Sequence, residues 1–210
     1  MKLYNNKISS AASRVRIALA LKGIAVEREE ITILGTDAHN LTADYRAVNP
    51  QGLVPALVTE KGTLLTQSLA IIEYLDDLQA EPALLPKDPE AKAQARAVAL
   101  AIAAEIHALV PPRVAARLSE LPGVDDATIA AWRLHWVRIG LAAVEDLLQR
   151  HPGSFCVGDA PSVADIFLFP QAVQAEWAGL SLDQWPRIAG VVAKLKAIPA
   201  FAENGPAPRE

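Results

Sequence analysis

Two stretches of this 210-residue chain carry groups that could hold and activate a ligand. One is Leu53-Val54-Pro55-Ala56-Leu57, followed by Gln67-Ser68 at the start of an apolar-periodic run. Proline cannot donate to a strand ladder, so Pro55 belongs on an edge, at a strand start or at a bulge. A cis bond before it would let Val54 turn its backbone outward and expose an N–H and a C=O. Gln67 and Ser68 add an amide, a hydroxyl and the free N–H groups of a helix N-terminus, a natural carboxylate cradle. Backbone pairing for the middle and an anion site for the end suit a peptide-like ligand. The other stretch is Ser9-Ser10, two hydroxyls after a short strand and at a helix start. Taken alone, both pairs read most simply as helix caps, and Val54 as strand core.

The elements that must position these groups follow from the pattern along residues 1–79. Lys2-Leu3-Tyr4 is a short strand. Ser9-Ser10 caps a helix running to about Leu21, with Val15, Ile17, Leu19 and Leu21 on apolar stripes and Lys22-Gly23 as its stop. Val26 to Ile33 alternates as a second strand, and residues 37–48 form an irregular helix. Ala56-Leu57-Val58 and Thr63-Leu64-Leu65 flank Glu60-Lys61-Gly62 as a hairpin. Ser68 to about Gln79 is a third helix, with Leu69, Ile72 and Leu75 inward. The order β-α-β-α-β-β-α is that of a thioredoxin-like domain.

Ala80 to Pro89 holds three prolines and forms the linker. Residues 90–210 read as all-helical: a long stretch over 90–120 bent near Pro111-Pro112, another over 126–150, one opening at Ser162-Val163-Ala164-Asp165, and one from Gln184 to Ile198. The tail from Ala202 is expected to be loose. Net charge is −4, with −1 in residues 1–79 and −3 beyond, so neither part has the basic excess that nucleic acid demands. No membrane span and no signal-peptide core is expected, and a cytoplasmic location is the simplest reading. The single cysteine, Cys156, excludes an intramolecular disulfide and reads as a small core residue. No metal site is expected.

Four segments in order, Ser9-Ser10-Ala11-Ala12-Ser13-Arg14-Val15-Arg16-Ile17-Ala18-Leu19, Asn49-Pro50-Gln51-Gly52-Leu53-Val54-Pro55, Gln67 to Leu75, and Val157-Gly158-Asp159 leading to Ser162–Asp165, resemble the glutathione transferases across nearly the whole chain. The first is similar to the zeta class, which includes the maleylacetoacetate isomerases. The resemblance implies an N-terminal thioredoxin-like domain (1–79), a linker (80–89) and a C-terminal helical bundle forming the second-substrate pocket. It also implies glutathione as substrate or coenzyme, a small electrophile as second substrate, and a homodimer.

The chemistry it implies is thiolate activation. A free thiol titrates near ~8.5, and lowering that by about two units requires ~2.7 kcal/mol. A hydroxyl and a helix N-terminus aimed at the sulfur can supply much of this. Ser9 is then the main thiolate donor, with Ser10 as helper. Gln67 and Ser68 would hold the γ-glutamyl end, Val54 would pair its backbone with the cysteinyl unit, and Asn40 would add a polar contact. Arg14, His107 and Arg113 are the candidates for the second substrate, while Asp165 caps its helix.

The resembled isomerases add the thiolate to a conjugated cis double bond, allow rotation and eliminate glutathione. Transfer of glutathione to a small electrophile is the leading expectation and that isomerisation the alternative, with a non-catalytic interaction module behind both. This chain departs from the class in three ways. Ala11 stands in place of the usual cysteine, Ile8 and Trp177 stand where arginines are common, and Pro111-Pro112 replaces a polar stretch. These departures point to a less anionic second substrate.

Overall fold

A computed structural model describes residues 1–35 and 38–208. The chain divides into two compact units, Met1–Leu85 joined by the segment from Ala197 onward, and Pro86–Lys196. The C-terminal segment thus belongs with the first unit, although the sequence grouped it with the helical bundle.

The first unit is built on a four-stranded sheet of order β2-β1-β3-β4, with β1 Lys2–Asn5, β2 Glu27–Glu30, β3 Ala56–Val58 and β4 Leu64–Thr66. β1 runs parallel to β2 and antiparallel to β3, and β3 runs antiparallel to β4. Consequently β1 and β4 end at the same edge, where β3 begins: Tyr4, Ala56 and Thr66 form one row. β2 is shorter than expected and fully exposed, an edge strand whose Glu27 and Glu29 pair with Lys2. Such a charged edge resists pairing with another chain.

Helix α1, Ser10–Lys22, follows β1 and ends at Gly23, whose φ of 65° supplies the left-handed cap. α2, Ala43–Val48, is preceded by a 3-10 turn at His39–Leu41. Asp37, where the irregular helix was expected to start, lies outside the described residues. α3, Ser68–Leu78, packs against α1 and buries Ile71, Ile72 and Leu75. Ile71, not Leu69, completes the inward stripe, because Ser68, Ile71, Ile72 and Leu75 fall at i, i+3, i+4 and i+7 and leave Leu69 half-buried at its flank. The core of this unit gathers Leu3, Ile17, Leu57, Ile71, Ile72 and Leu75, each fully buried.

One property of α1 escaped its apolar periodicity. It is buried on almost every side, so Ser10, Ser13, Arg14, Arg16 and Lys22 are inside as well. Buried polar groups must be hydrogen-bonded, and Ser13, Arg14, Arg16 and Lys22 each reach across the fold. Lys22 pairs with Asp76 and donates to the carbonyls of Gln79 and Pro82 at 2.6 and 2.7 Å. Asp76 also accepts from the N–H groups of Leu84 and Leu85, which fastens the linker to this unit.

The second unit contains α4 Pro89–Leu100, α5 Pro112–Ser119, α6 Asp126–Gln149, α7 Val163–Trp177 and α8 Pro186–Lys196. Its core is centred on α7, where Ile166, Phe167 and Leu168 are fully buried. The expected bend at Pro111-Pro112 begins ten residues earlier, with a π-helical stretch at Ala101–Ile106 and a 3-10 turn at His107–Leu109. By length and composition Pro89–Ser119 could cross a membrane, contrary to the expectation that no span would qualify. Its interruptions, and the packing of α4 along α7, are those of a bundle helix. A capping box opens α7: Asp165 accepts from the N–H of Ser162 at 2.9 Å and of Cys156 at 2.9 Å. Cys156 is buried as expected, and burial pushes its thiol up.

A last short helix, α9 Pro199–Ala202, packs on α1. The described part of the tail is not loose. The Ala207 N–H donates to the Lys7 carbonyl at 2.9 Å and the Ser13 hydroxyl to the Asn204 carbonyl at 2.7 Å.

Candidate active site

The strand directions bring three predicted groups to one edge of the sheet. Ser9 leaves the end of β1, Ser68 leaves the end of β4, and Val54 precedes the start of β3. The Val54–Pro55 bond is cis, and Val54 lies outside the paired registers, so neither its N–H nor its C=O enters a strand pairing.

Ser9 is the N-cap of α1: its Oγ accepts from the Ala12 N–H at 3.2 Å. This is the capping role, but it does not exhaust the hydroxyl, which can accept and donate at once. With a lone pair engaged by Ala12, its hydrogen is left to give to an anion. Ser9 is 8% exposed and Ser10 1%, so Ser9 is the better exposed of the two.

Ser68 repeats the arrangement at the second helix. Its Oγ accepts from Arg14 Nη1 at 3.3 Å, which again leaves the hydrogen to donate. No side chain caps α3, so its first N–H groups keep the positive end of the helix dipole available. Gln67 holds φ at 68°, the one non-glycine residue at positive φ among those described. Such a conformation costs about 1–3 kcal/mol and persists where the surroundings impose it. The Gln67 amide donates to Gln51 Oε1 at 3.2 Å.

Arg14 was expected to meet a second substrate. It is 1% exposed, and its guanidinium reaches from α1 to Ser68. Burial pulls it down to about 9. A cation one turn behind Ser9 and bonded to Ser68 adds positive potential at both helix N-termini. Asn40 is 9% exposed and donates from Nδ2 to the Gly52 carbonyl at 2.9 Å. Its Oδ1 is buried without a hydrogen-bond partner. His107 opens the 3-10 turn of the second unit and Arg113 is exposed on α5.

Sequence reasoning missed the supports of the Val54 loop. Asn49 Nδ2 and the Tyr45 hydroxyl both donate to the Leu53 carbonyl at 2.7 Å. Desolvation raises Tyr45 to about 12. Asn49 Oδ1 accepts from the Gln51 N–H at 3.1 Å, an Asx-turn. Gly52 sits at φ 61°, and a Cβ there would lie 2.8 Å from the Asn40 carbonyl oxygen. The Asn-Pro-Gln-Gly run carried that turn signal.

A groove of about 390 Å³ lies along the β1–α1 loop, lined by Asn6, Lys7 and Ile8 and by residues 30–34.

Residues 8–78 match the family model described as Glutathione S-transferase, N-terminal domain, and residues 126–194 that described as Glutathione S-transferase, C-terminal domain. The chain is 43% identical over 207 residues to the maleylacetoacetate isomerase of Pseudomonas aeruginosa, covering 99% of this chain and 96% of the relative. It is similar to a maleyl pyruvate isomerase structure, a bacterial zeta-class glutathione S-transferase, at 37% identity and TM-score 0.92, covering 100% and 98% of the two chains. A maleylacetoacetate isomerase from Methylobacterium extorquens, with malonate and glutathione bound, matches at 37% identity and TM-score 0.94 over 100% and 98%.

Proposed function

This chain belongs to the glutathione S-transferase family, and on that footing we propose the alternative of the sequence reading, a zeta-type enzyme that uses glutathione to isomerise a small conjugated cis dicarboxylic substrate, over the less anionic electrophile that Ala11, Ile8 and Trp177 suggested, because the relatives it matches over its length are such isomerases. The observation that carries this reading is the three-part cradle of Ser9, Val54 and Ser68 at one sheet edge, on a chain similar over its whole length to such isomerases. When bound, glutathione supplies a thiolate nucleophile that adds to a double bond and later leaves.

The residues present fit that molecule. The Val54 N–H and C=O offer backbone pairing to its cysteinyl unit. Ser68, backed by Arg14 and the α3 N-terminus, takes the γ-glutamyl carboxylate, and Gln67 its neighbouring polar atoms. Ser9 holds a hydrogen toward the sulfur and the α1 N-terminus adds its dipole, so the proton leaves the thiol more readily. Ser10, behind Ser9, supports that turn. Asn40 fixes the Gly52 carbonyl, and so the path of the chain into Val54. His107 and Arg113 are the second unit's candidates for a substrate carboxylate.

One observation favours a second reading, conjugation to an apolar electrophile: the groove along the loop that leads to Ser9 has Ile8, Ile31, Ile33 and Leu34 in its lining. Glutathione-dependent assays on maleylacetone and on a chlorodinitrobenzene separate the two. Fast isomerisation of maleylacetone supports the proposal; conjugation without isomerisation replaces it with the second reading. Absence of both activities, in a folded protein that does not bind glutathione, refutes both.

We propose also that the protein is a cytoplasmic homodimer. Leu78 and Leu100, 55% and 48% exposed, offer apolar surface to a second copy. A monomer in sedimentation equilibrium at assay concentration, or fractionation outside the cytoplasm, would contradict these two statements respectively.

A further inference from the structure

The four residues Asn6–Ser9 join β1 to α1 and carry the proposed thiolate donor, and a network of hydrogen bonds holds them. Arg16, one turn and a half beyond Ser10, is 5% exposed. Its Nη1 donates to Asn5 Oδ1 at 2.8 Å and to the Asn6 carbonyl at 2.9 Å. Its Nη2 donates to the Lys7 carbonyl at 3.2 Å and to the Gly205 carbonyl at 3.0 Å. One guanidinium therefore ties the end of β1, two loop carbonyls and the C-terminal segment together. The planar fork of arginine suits this, whereas an ammonium is a point donor.

The C-terminal segment closes the same loop from the other side. The Ala207 N–H donates to the Lys7 carbonyl at 2.9 Å, so that oxygen accepts from both Arg16 and the tail. The segment is itself anchored. Phe201 is fully buried, Pro206 is buried, the Asn204 carbonyl accepts from Ser13 Oγ, and the Gly205 N–H donates to the Phe201 carbonyl at 2.9 Å. Asn6 completes the clamp, with its Oδ1 accepting from the Ile8 N–H at 3.0 Å and its Nδ2 donating to the Ile31 carbonyl at 2.8 Å.

We propose that Arg16 and the strap Asn204–Ala207 are positioning elements for Ser9, holding the loop so that the Ser9 hydroxyl is aimed where the thiolate forms. This rests on the reading of Ser9 as thiolate donor. A capped hydroxyl has one direction left in which to donate, and that direction is set by the backbone path through Lys7 and Ile8. Displacement of a catalytic group by about 1 Å can cost ~100-fold in rate. The strap touches neither Ser68 nor Val54, so it acts on activation of the thiol and leaves glutathione binding alone.

The test compares Arg16→Met, Ala207→Pro, a chain ended before Asn204, and Ser9→Ala with the full-length protein. Ala207→Pro removes the strap N–H and fixes φ at one half-buried position, leaving Arg16 and the chain length intact, so it stays informative if Arg16→Met or the truncation fails to fold. The readouts are the pH titration of the thiolate absorbance of bound glutathione, kcat at saturating glutathione, glutathione Kd, and circular dichroism for folding. Expected for Ala207→Pro and the folded strap variants is a thiol pKa raised by about one unit, kcat near neutral pH down roughly tenfold, and Kd changed by less than about threefold. Unchanged thiol pKa and kcat in these variants, while Ser9→Ala raises the pKa, would make the strap a staple for the fold and overturn the proposal. Equal losses of kcat and affinity would do the same. If Ser9→Ala itself leaves the thiol pKa in place, the reading of Ser9 falls, and this proposal with it.

Discussion

Replacing Ser9 by alanine is expected to slow turnover at low pH and to leave it nearly intact at high pH. The wild-type Ser9 Oγ is occupied as an acceptor by the Ala12 N–H at 3.2 Å, so its hydrogen is available to the sulfur. A hydrogen bond to a charged partner contributes about 1.5–3 kcal/mol, which corresponds to ~1–2 pKa units. The thiol of bound glutathione therefore titrates ~1–2 units higher in Ser9→Ala, toward its free value near ~8.5. The sign follows from which form the hydroxyl stabilises. The wild type favours thiolate, so the variant has less of it below the shifted pKa and the same amount well above it. Turnover limited by thiolate falls roughly tenfold to a hundredfold below both pKa values, and the deficit closes as pH rises past about 8.5. The same substitution removes a helix cap, worth about 1 kcal/mol and ~2–4 °C in Tm for a chain of this size. Capping alone cannot make the rate deficit depend on pH. Ser9→Thr, which keeps both hydroxyl and cap, is expected to restore most of the profile. A deficit of the same size at every pH, or a bound thiol titrating as in the wild type, would refute the argument.

Ser68→Ala removes the hydroxyl proposed to hold the glutathione carboxylate and is expected to weaken glutathione roughly tenfold to a hundredfold, read by calorimetry; wild-type affinity would deny Ser68 that role. Arg14→Met should trade function for stability: burial holds the folded pKa at about 9, below its ordinary 12.5, so the charge costs stability below about pH 9 and the cost fades as pH rises through that value. Urea midpoints should therefore favour Arg14→Met near neutral pH and converge with the wild type in alkali, with glutathione bound more weakly throughout; a stability gap independent of pH would contradict this. Lys22→Ala strands Asp76 and two carbonyls in the interior and should cost ~3–5 kcal/mol in denaturant titrations; a cost under about 1 kcal/mol would mean that water replaces the ammonium. Gly140→Ala puts a Cβ 2.2 Å from Ile106 Cγ1, an overpacking penalty of about 1–3 kcal/mol. Combining it with Ile106→Ala should cost less than the two changes summed, and additive losses would place the clash elsewhere.

Much of the machinery was legible because it lies in local chemistry. The helix starting at Ser9-Ser10 and stopping at Gly23 follows from a cap and a left-handed glycine. The hairpin around Gly62 and the capping box at Ser162–Asp165 follow in the same way. Other features were not legible for equally local reasons. The break in the helix after Leu100 has no proline or glycine at its start. Ile106, the last residue of that π-helical stretch, lies so close to Gly140 of α6 that a Cβ there would not fit, a contact that no local pattern announces. Asn49 was read within a matched segment, yet its grip on the Leu53 carbonyl depends on a loop closing over four residues.

The sequence alone determined the order of elements in the first unit and the family, since capping, turn chemistry and periodicity act over a few residues and motif order runs along the chain. Only the tertiary structure decided what the buried polar side chains of α1 do. By residue type alone, Ser13, Arg14, Arg16 and Lys22 carry groups that water would solvate. In the fold they are inside, and a buried donor must find an acceptor at whatever sequence distance the packing brings it. That requirement sends Ser13 to Asn204, Arg14 to Ser68, Arg16 to Gly205 and Lys22 to Asp76, separations of 191, 54, 189 and 54 residues that no local rule reaches.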